Sequence, residues 1–114
     1  MDMTHLLPRV PDFTALTFRK SGWVCLHQLT VDRFGLMGTH FLSLHFDPIE
    51  LTLQIRPSME ESQGSYKVFK ERSGALVVYA RRFLHQIGIL NGNGSRIFPV
   101  EWDGVRGLIV ARLS

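Results

Sequence analysis

The chain has 114 residues, 45% of them apolar and 20% charged, with 13 Lys and Arg against 10 Asp and Glu for a net charge of +3. This excludes a chain disordered throughout, because there is enough apolar surface to offset chain entropy. It also excludes a helical membrane span, because the longest uncharged apolar-rich stretch, Gly35 to Phe46, falls well short of the roughly 20 residues a bilayer core needs.

Residues 1–13 carry Pro8 and Pro11 without periodicity and are expected to form a loose N-terminal arm. Ala15-Leu16-Thr17-Phe18 and Trp23-Val24-Cys25-Leu26 flank Lys20-Ser21-Gly22, the signature of a hairpin. Gln28 to Phe34 suits one or two helical turns closed by Gly35. Phe41 to Phe46 reads as a strand with Leu42, Leu44 and Phe46 on one face. Asp47-Pro48-Ile49 makes a turn, with Pro48 at its second position. In Glu50 to Arg56 the alternation sets Leu51, Leu53 and Ile55 against Glu50, Thr52, Gln54 and Arg56. A polar, aperiodic stretch over 58–64 is the one linker.

Beyond the linker the order returns. Ser65 to Lys70 is expected as a strand, Arg72-Ser73-Gly74 as a turn, Ala75 to Tyr79 as a strand, and Arg81 to Ile87 as a short helix closed by Gly88. Asn91-Gly92-Asn93-Gly94 is expected as a flexible loop. Ile97 to Trp102 and Leu108 to Leu113 are then strands joined at Asp103-Gly104. Pro99 cannot donate to a ladder, so it is expected at an edge or a bulge, and Trp102 is expected to cap the barrel.

The spacing from hairpin Gly to helix-closing Gly is 13 in the first half and 14 in the second. Repeated order at matched spacing points to internal duplication. The fold expected is mainly β with two short helices: strand–strand–helix–strand–strand units over 14–57 and 65–114. Neither unit buries enough surface alone, so both must share one core, as one closed β-barrel.

This arrangement resembles the AbrB/SpoVT swapped-hairpin family, in tandem as in MraZ-type proteins. Gly22-Trp23-Val24-Cys25-Leu26 through Phe34-Gly35-Leu36 stands where that family has its Gly-Arg-apolar strand and its Leu-Gly-Ile helix end, and the likeness covers about residues 15–113. The resemblance implies a transcriptional regulator that contacts duplex DNA through basic hairpins and helix starts. Carried over residue by residue, the implied contacts are Arg19 and Lys20 on the first hairpin, Lys70 and Arg72 on the second, and Arg81 and Arg82 at the second helix. Trp23 stands where the family has Arg, and the first helix offers Val31 and Asp32 in place of basic residues.

Guanidinium groups on a rigid ribbon can bridge phosphates or read guanine, which is the chemistry those six positions suit. Phe18, Trp23, Tyr66, Phe69 and Tyr79 interleave with them. Exposed, they would stack on unpaired bases, which makes single-stranded nucleic acid an alternative ligand. A protein-interaction module with merely solubilising charges is the other alternative.

Catalysis has no frame here, since nucleophile elbow, phosphate loop and dinucleotide fingerprint are all missing. His40 and His45 fall on opposite faces of a strand, so no metal or other cofactor is expected. Cys25 sits in an apolar run and reads as a buried, inert thiol. The lone Cys and the lack of a basic leader with an apolar core lead to the expectation of a cytoplasmic, non-enzymatic protein. The expected partner is DNA, bound by the chain as a homodimer or higher oligomer.

Overall fold

The computed structural model describes residues 11–89 and 95–113. The loop expected over 91–94 and most of the N-terminal arm lie outside them. In chain order the elements are β1 (Ala15–Phe18), β2 (Trp23–Leu26), α1 (Gln28–Arg33), β3 (Phe41–Asp47), β4 (Thr52–Ser58), β5 (Tyr66–Lys67), β6 (Phe69–Lys70), β7 (Leu76–Tyr79), α2 (Arg81–Gln86), β8 (Arg96–Asp103) and β9 (Leu108–Arg112). All pairings are antiparallel, in the order β5-β3-β4-β9-β8-β1-β2-β7-β6. The outermost strands, β5 and β6, are consecutive pieces of one segment, so the sheet is a nearly closed barrel.

That segment is where the single expected strand over 65–70 gives way to two. β5 pairs with β3 and β6 with β7. Between them, Val68 donates its N–H to the carbonyl of His40 at 2.9 Å and packs its side chain on the core. The chain crosses the barrel seam there, so no single neighbour serves both flanks. β8 makes the corresponding change on the other side. Its first four residues pair with β1, Phe18 opposite Arg96 through Ala15 opposite Pro99, and from Val100 onward it pairs with β9. Pro99 thus stands in an interior strand, at the point where the ladder changes partner. Thr14 fixes the corner, accepting the Val100 N–H at its carbonyl (2.9 Å) and donating its hydroxyl to the Val100 carbonyl (2.8 Å).

The strand expected over 50–56 begins instead at Thr52, and Leu51 is an exposed turn residue with φ 53°. The side chain of Asp47 decides this. Its Oδ1 accepts the N–H of Ile49 (2.9 Å) and of Glu50 (3.2 Å), so residues 48–51 close a loop before pairing resumes at Asp47 opposite Thr52. Short polar side chains that bond to the backbone two residues on favour turns over strands in this way. Asp103 builds the same loop between β8 and β9, where Oδ1 accepts the N–H of Val105 and of Arg106, both at 3.1 Å.

Other local geometries recur in the same order in both halves. In the first hairpin, Gly22 donates to the Arg19 carbonyl and Arg19 to the Trp23 carbonyl, both at 2.8 Å. In the second, Gly74 donates to Glu71 at 3.0 Å and Glu71 to Ala75 at 2.9 Å. The halves meet along β1–β8, β2–β7, β3–β5 and β4–β9. The core formed between them includes Leu16, Phe18, Leu26, Leu42, Ile55, Val78, Leu84 and Ile109, all essentially inaccessible. Phe18 stacks obliquely on Phe98 at 5.4 Å. α1 is tied to β1 by buried Thr30, whose Oγ1 accepts the Ala15 N–H (2.8 Å) and donates to the Ala15 carbonyl (2.9 Å). Trp102 lies over Phe34 at 5.9 Å but stays partly exposed, so it covers the barrel end only in part.

Candidate functional site

Alternation along β1, β2 and β7 points Leu16, Phe18, Val24, Leu26, Leu76 and Val78 inward. It leaves Thr17, Trp23, Cys25, Val77 and Tyr79 on the outward face. Cys25, Ala75 and Val77, with Trp23 against them, form a small buried cluster of their own on that face. An ion pair lies beside Cys25. Arg19, at the end of β1, donates from Nη1 and Nη2 to the two carboxylate oxygens of Glu71 at 2.9 and 2.8 Å. Its Nη2 also lies 3.4 Å from the Cys25 sulfur. The pair spans β1 to the end of β6 and so ties the first half to the second.

Each group of this cluster feels the others. The hydrogen bonds from Arg19 hold the Glu71 carboxyl below the usual carboxylate range, and Glu71 pushes the guanidinium further up. Burial raises the Cys25 thiol above its ordinary value despite the cation beside it. Burial, aided by the charge of Arg19, lowers His27 below its ordinary value. The His27 Nε2 shares a 2.6 Å hydrogen bond with the Thr17 hydroxyl.

An open groove of about 700 Å³ runs over this surface, lined by Thr17, Arg19, Lys20, Ser21, Cys25, His27, Arg81 and Ser95. Its cationic end is assembled by a close approach of backbone. Gly22 has φ 103°, and a Cβ there would lie 2.3 Å from the Arg81 Cβ. The Gly22 carbonyl accepts the Ala80 N–H at 2.9 Å. Only glycine lets the first hairpin sit so tightly on the start of α2, and this contact brings Lys20 and Arg81 to one groove.

Of the six basic positions singled out in the sequence, Arg19, Lys20 and Arg81 line the groove. Arg82 is exposed on the next position of α2, Lys70 is exposed at the end of β6, and Arg72 is exposed in the second turn; none of the three lines it. Among the described residues, Arg19 is the one of the six whose charge is met by a carboxylate. Sequence reasoning missed Thr17, Ser21, His27 and Ser95 in the lining and Glu71 as a partner. Glu71 had a visible signal, because it occupies the hairpin position in the second half that Arg19 occupies in the first.

Cys25 is buried, as expected. Among the described residues no three His, Cys, Asp or Glu side chains stand together as metal ligands, and no helix is long and apolar enough to cross a membrane. No family model matches the chain, and no curated protein or solved structure matches it.

Proposed function

We propose that the chain is a nucleic-acid-binding protein that holds the phosphate backbone at the junction of its first hairpin with α2. The observation that carries this reading is the groove in which Lys20 and Arg81 converge with the hydroxyls of Ser21, Thr17 and Ser95. Two cations and neighbouring hydroxyls lining one groove suit a phosphate, which accepts several hydrogen bonds and carries the charge that dominates non-specific affinity. Exposed Arg82, Lys70 and Arg72 extend the positive surface beyond the groove. Descent of the two halves from one duplicated AbrB-like unit, with binding in place of catalysis, belongs to the same proposal and draws on the recurring turns and loops.

The test is fluorescence anisotropy with duplex and single-stranded oligonucleotides at two salt concentrations. For about four phosphate contacts, affinity for a duplex falls on the order of a hundredfold between about 50 and 200 mM salt. Lys20→Glu and Arg81→Glu each weaken binding by tenfold or more on this model, on the order of 1–3 kcal/mol. Absence of salt-sensitive binding to either strand form defeats it. A second reading, a protein-docking module, draws on exposed Met59 and Trp102 around a smaller cavity of about 360 Å³ at the C-terminal end of α1. Retained binding by a Trp102→Ala variant separates that surface from the groove.

A further inference from the structure

The outward face of β8–β1–β2–β7–β6 is unusual for a sheet surface in the aromatic side chains it leaves open. The register sets Ile97, Thr17, Cys25, Val77 and Phe69 in one row across five strands, and Trp23 opposite Tyr79. Trp23 is the brace. Phe69 meets it edge-on with ring centroids 6.0 Å apart, and Tyr79 lies tilted against it at 5.2 Å. Each of those two outer rings remains nearly half exposed, Phe69 at 48% and Tyr79 at 49%. Lys67 hangs its ammonium 5.6 Å from the Phe69 centroid.

This platform and the groove adjoin. Arg19 lines the groove, its N–H is bonded to the Trp23 carbonyl, and its guanidinium holds Glu71, two residues after Phe69. Cations flank the platform, with exposed Lys67 and Arg72 on the β6 side and Lys20 and Arg81 at the groove. The carboxylate nearest in sequence to Phe69, that of Glu71, is already taken by Arg19.

From this arrangement we infer that the ligand is single-stranded nucleic acid, with its phosphates along the cationic groove and unpaired bases lying on Tyr79 and Phe69. The inference rests on the nucleic-acid reading above and narrows it to one strand form. Ring faces set in a sheet surface can take a base only where the base is free of its own stack. In a duplex the base faces are covered by their neighbours, and only edges and phosphates are presented. A purely apolar peptide would cover the rings but would leave the surrounding cations without counter-charge.

The experiment compares a labelled single strand of about 15 nucleotides, near the upper site size for such surfaces, with a duplex of the same sequence. The single strand is expected to bind at least about tenfold tighter. Tyr79→Ala and Phe69→Ala are each expected to lose about tenfold on the single strand and little on the duplex, while Tyr79→Phe retains the wild-type value. In a Trp102→Phe background, bound bases should quench the remaining emission of Trp23. Equal or tighter duplex binding, or a single-strand affinity unmoved by both alanine variants, overturns the inference while leaving the phosphate groove standing. No salt-sensitive binding to either form overturns both.

Discussion

At one hairpin–helix junction Gly22 lies against Arg81, with Arg19, Lys20 and Ser21 around it. At the other, Gly74 lies against Gln28, with Glu71, Arg72 and Ser73 in the corresponding places. The turn hydrogen bonds match, and both glycines have positive φ, 103° and 91°. The clearances do not match. A Cβ on Gly22 would meet Arg81 Cβ at 2.3 Å and its Cα at 2.8 Å, whereas one on Gly74 would meet the flexible Gln28 Cγ at 3.1 Å. The backbone solution is thus shared, and the chemistry built on it differs. The cations gather where the packing is tightest, and the looser junction carries the carboxylate that ties the halves together.

The largest effect should come from the glycines. Gly22→Ala must adopt a left-handed backbone and push helix backbone aside, for a loss of about 3 kcal/mol, while Gly74→Ala pays the conformational term and little more, about 1–2 kcal/mol. Urea unfolding of the two variants measures the difference. Equal losses would mean that φ alone sets the cost and that the tight approach to Arg81 carries no strain.

Next in size is the cation itself. Arg81→Gln should weaken nucleic-acid binding roughly tenfold and lower the salt slope by about one. Adding Gln28→Arg puts an Arg at the equivalent helix start of the other junction and restores net charge. If the groove is the site, the double variant binds like Arg81→Gln. If affinity follows net charge, it binds like the wild type, and the junctions are electrostatically equivalent.

Much of this comparison was legible in the residues. Gly22 and Gly74, Gly35 and Gly88, and the Asp before each later hairpin mark the boundaries, because turns and helix ends depend on local chemistry that a few residues carry. The partner change at Pro99 was legible only as an irregularity, and the one at Val68, inside an expected single strand, not at all, since which strand lies alongside is a property of the closed barrel. Leu51 was misplaced for a related reason. Alternation put it in a strand, but the Asp47 side chain holds residues 48–51 in a loop. At the site, the basic residues could be named, but their division could not. Arg19 and Glu71 lie 52 positions apart, and nothing local says that one is spent on the other while Lys20 and Arg81 stay open to a ligand.

The smallest effect, and the most direct on the division between the junctions, concerns the Arg19–Glu71 pair. Its side chains are 36% and 35% exposed, so solvent screens it, and even with bidentate geometry it should contribute no more than about 1 kcal/mol. Glu71→Gln should therefore lower the melting temperature by only a few degrees. The sign of its pH dependence follows from the lowered pKa of Glu71. The pair's contribution is fully present above the ordinary carboxylate value of about 4.3 and is lost as the pH falls through the lower value of the folded state. The stability gap between wild type and Glu71→Gln should thus be constant near neutrality and close on acidification. The same variant loosens the Arg19 guanidinium that lies over Cys25 and removes the negative charge that raises the thiol, so the thiol should react faster with an aromatic disulfide reagent. It also frees the Arg19 guanidinium, so nucleic-acid affinity should rise rather than fall. A rise places Arg19 beside Lys20 and Arg81 as a latent member of the cationic junction. A fall would mean that Glu71 is needed to hold Arg19 in a binding position, and the two junctions would then work as one site.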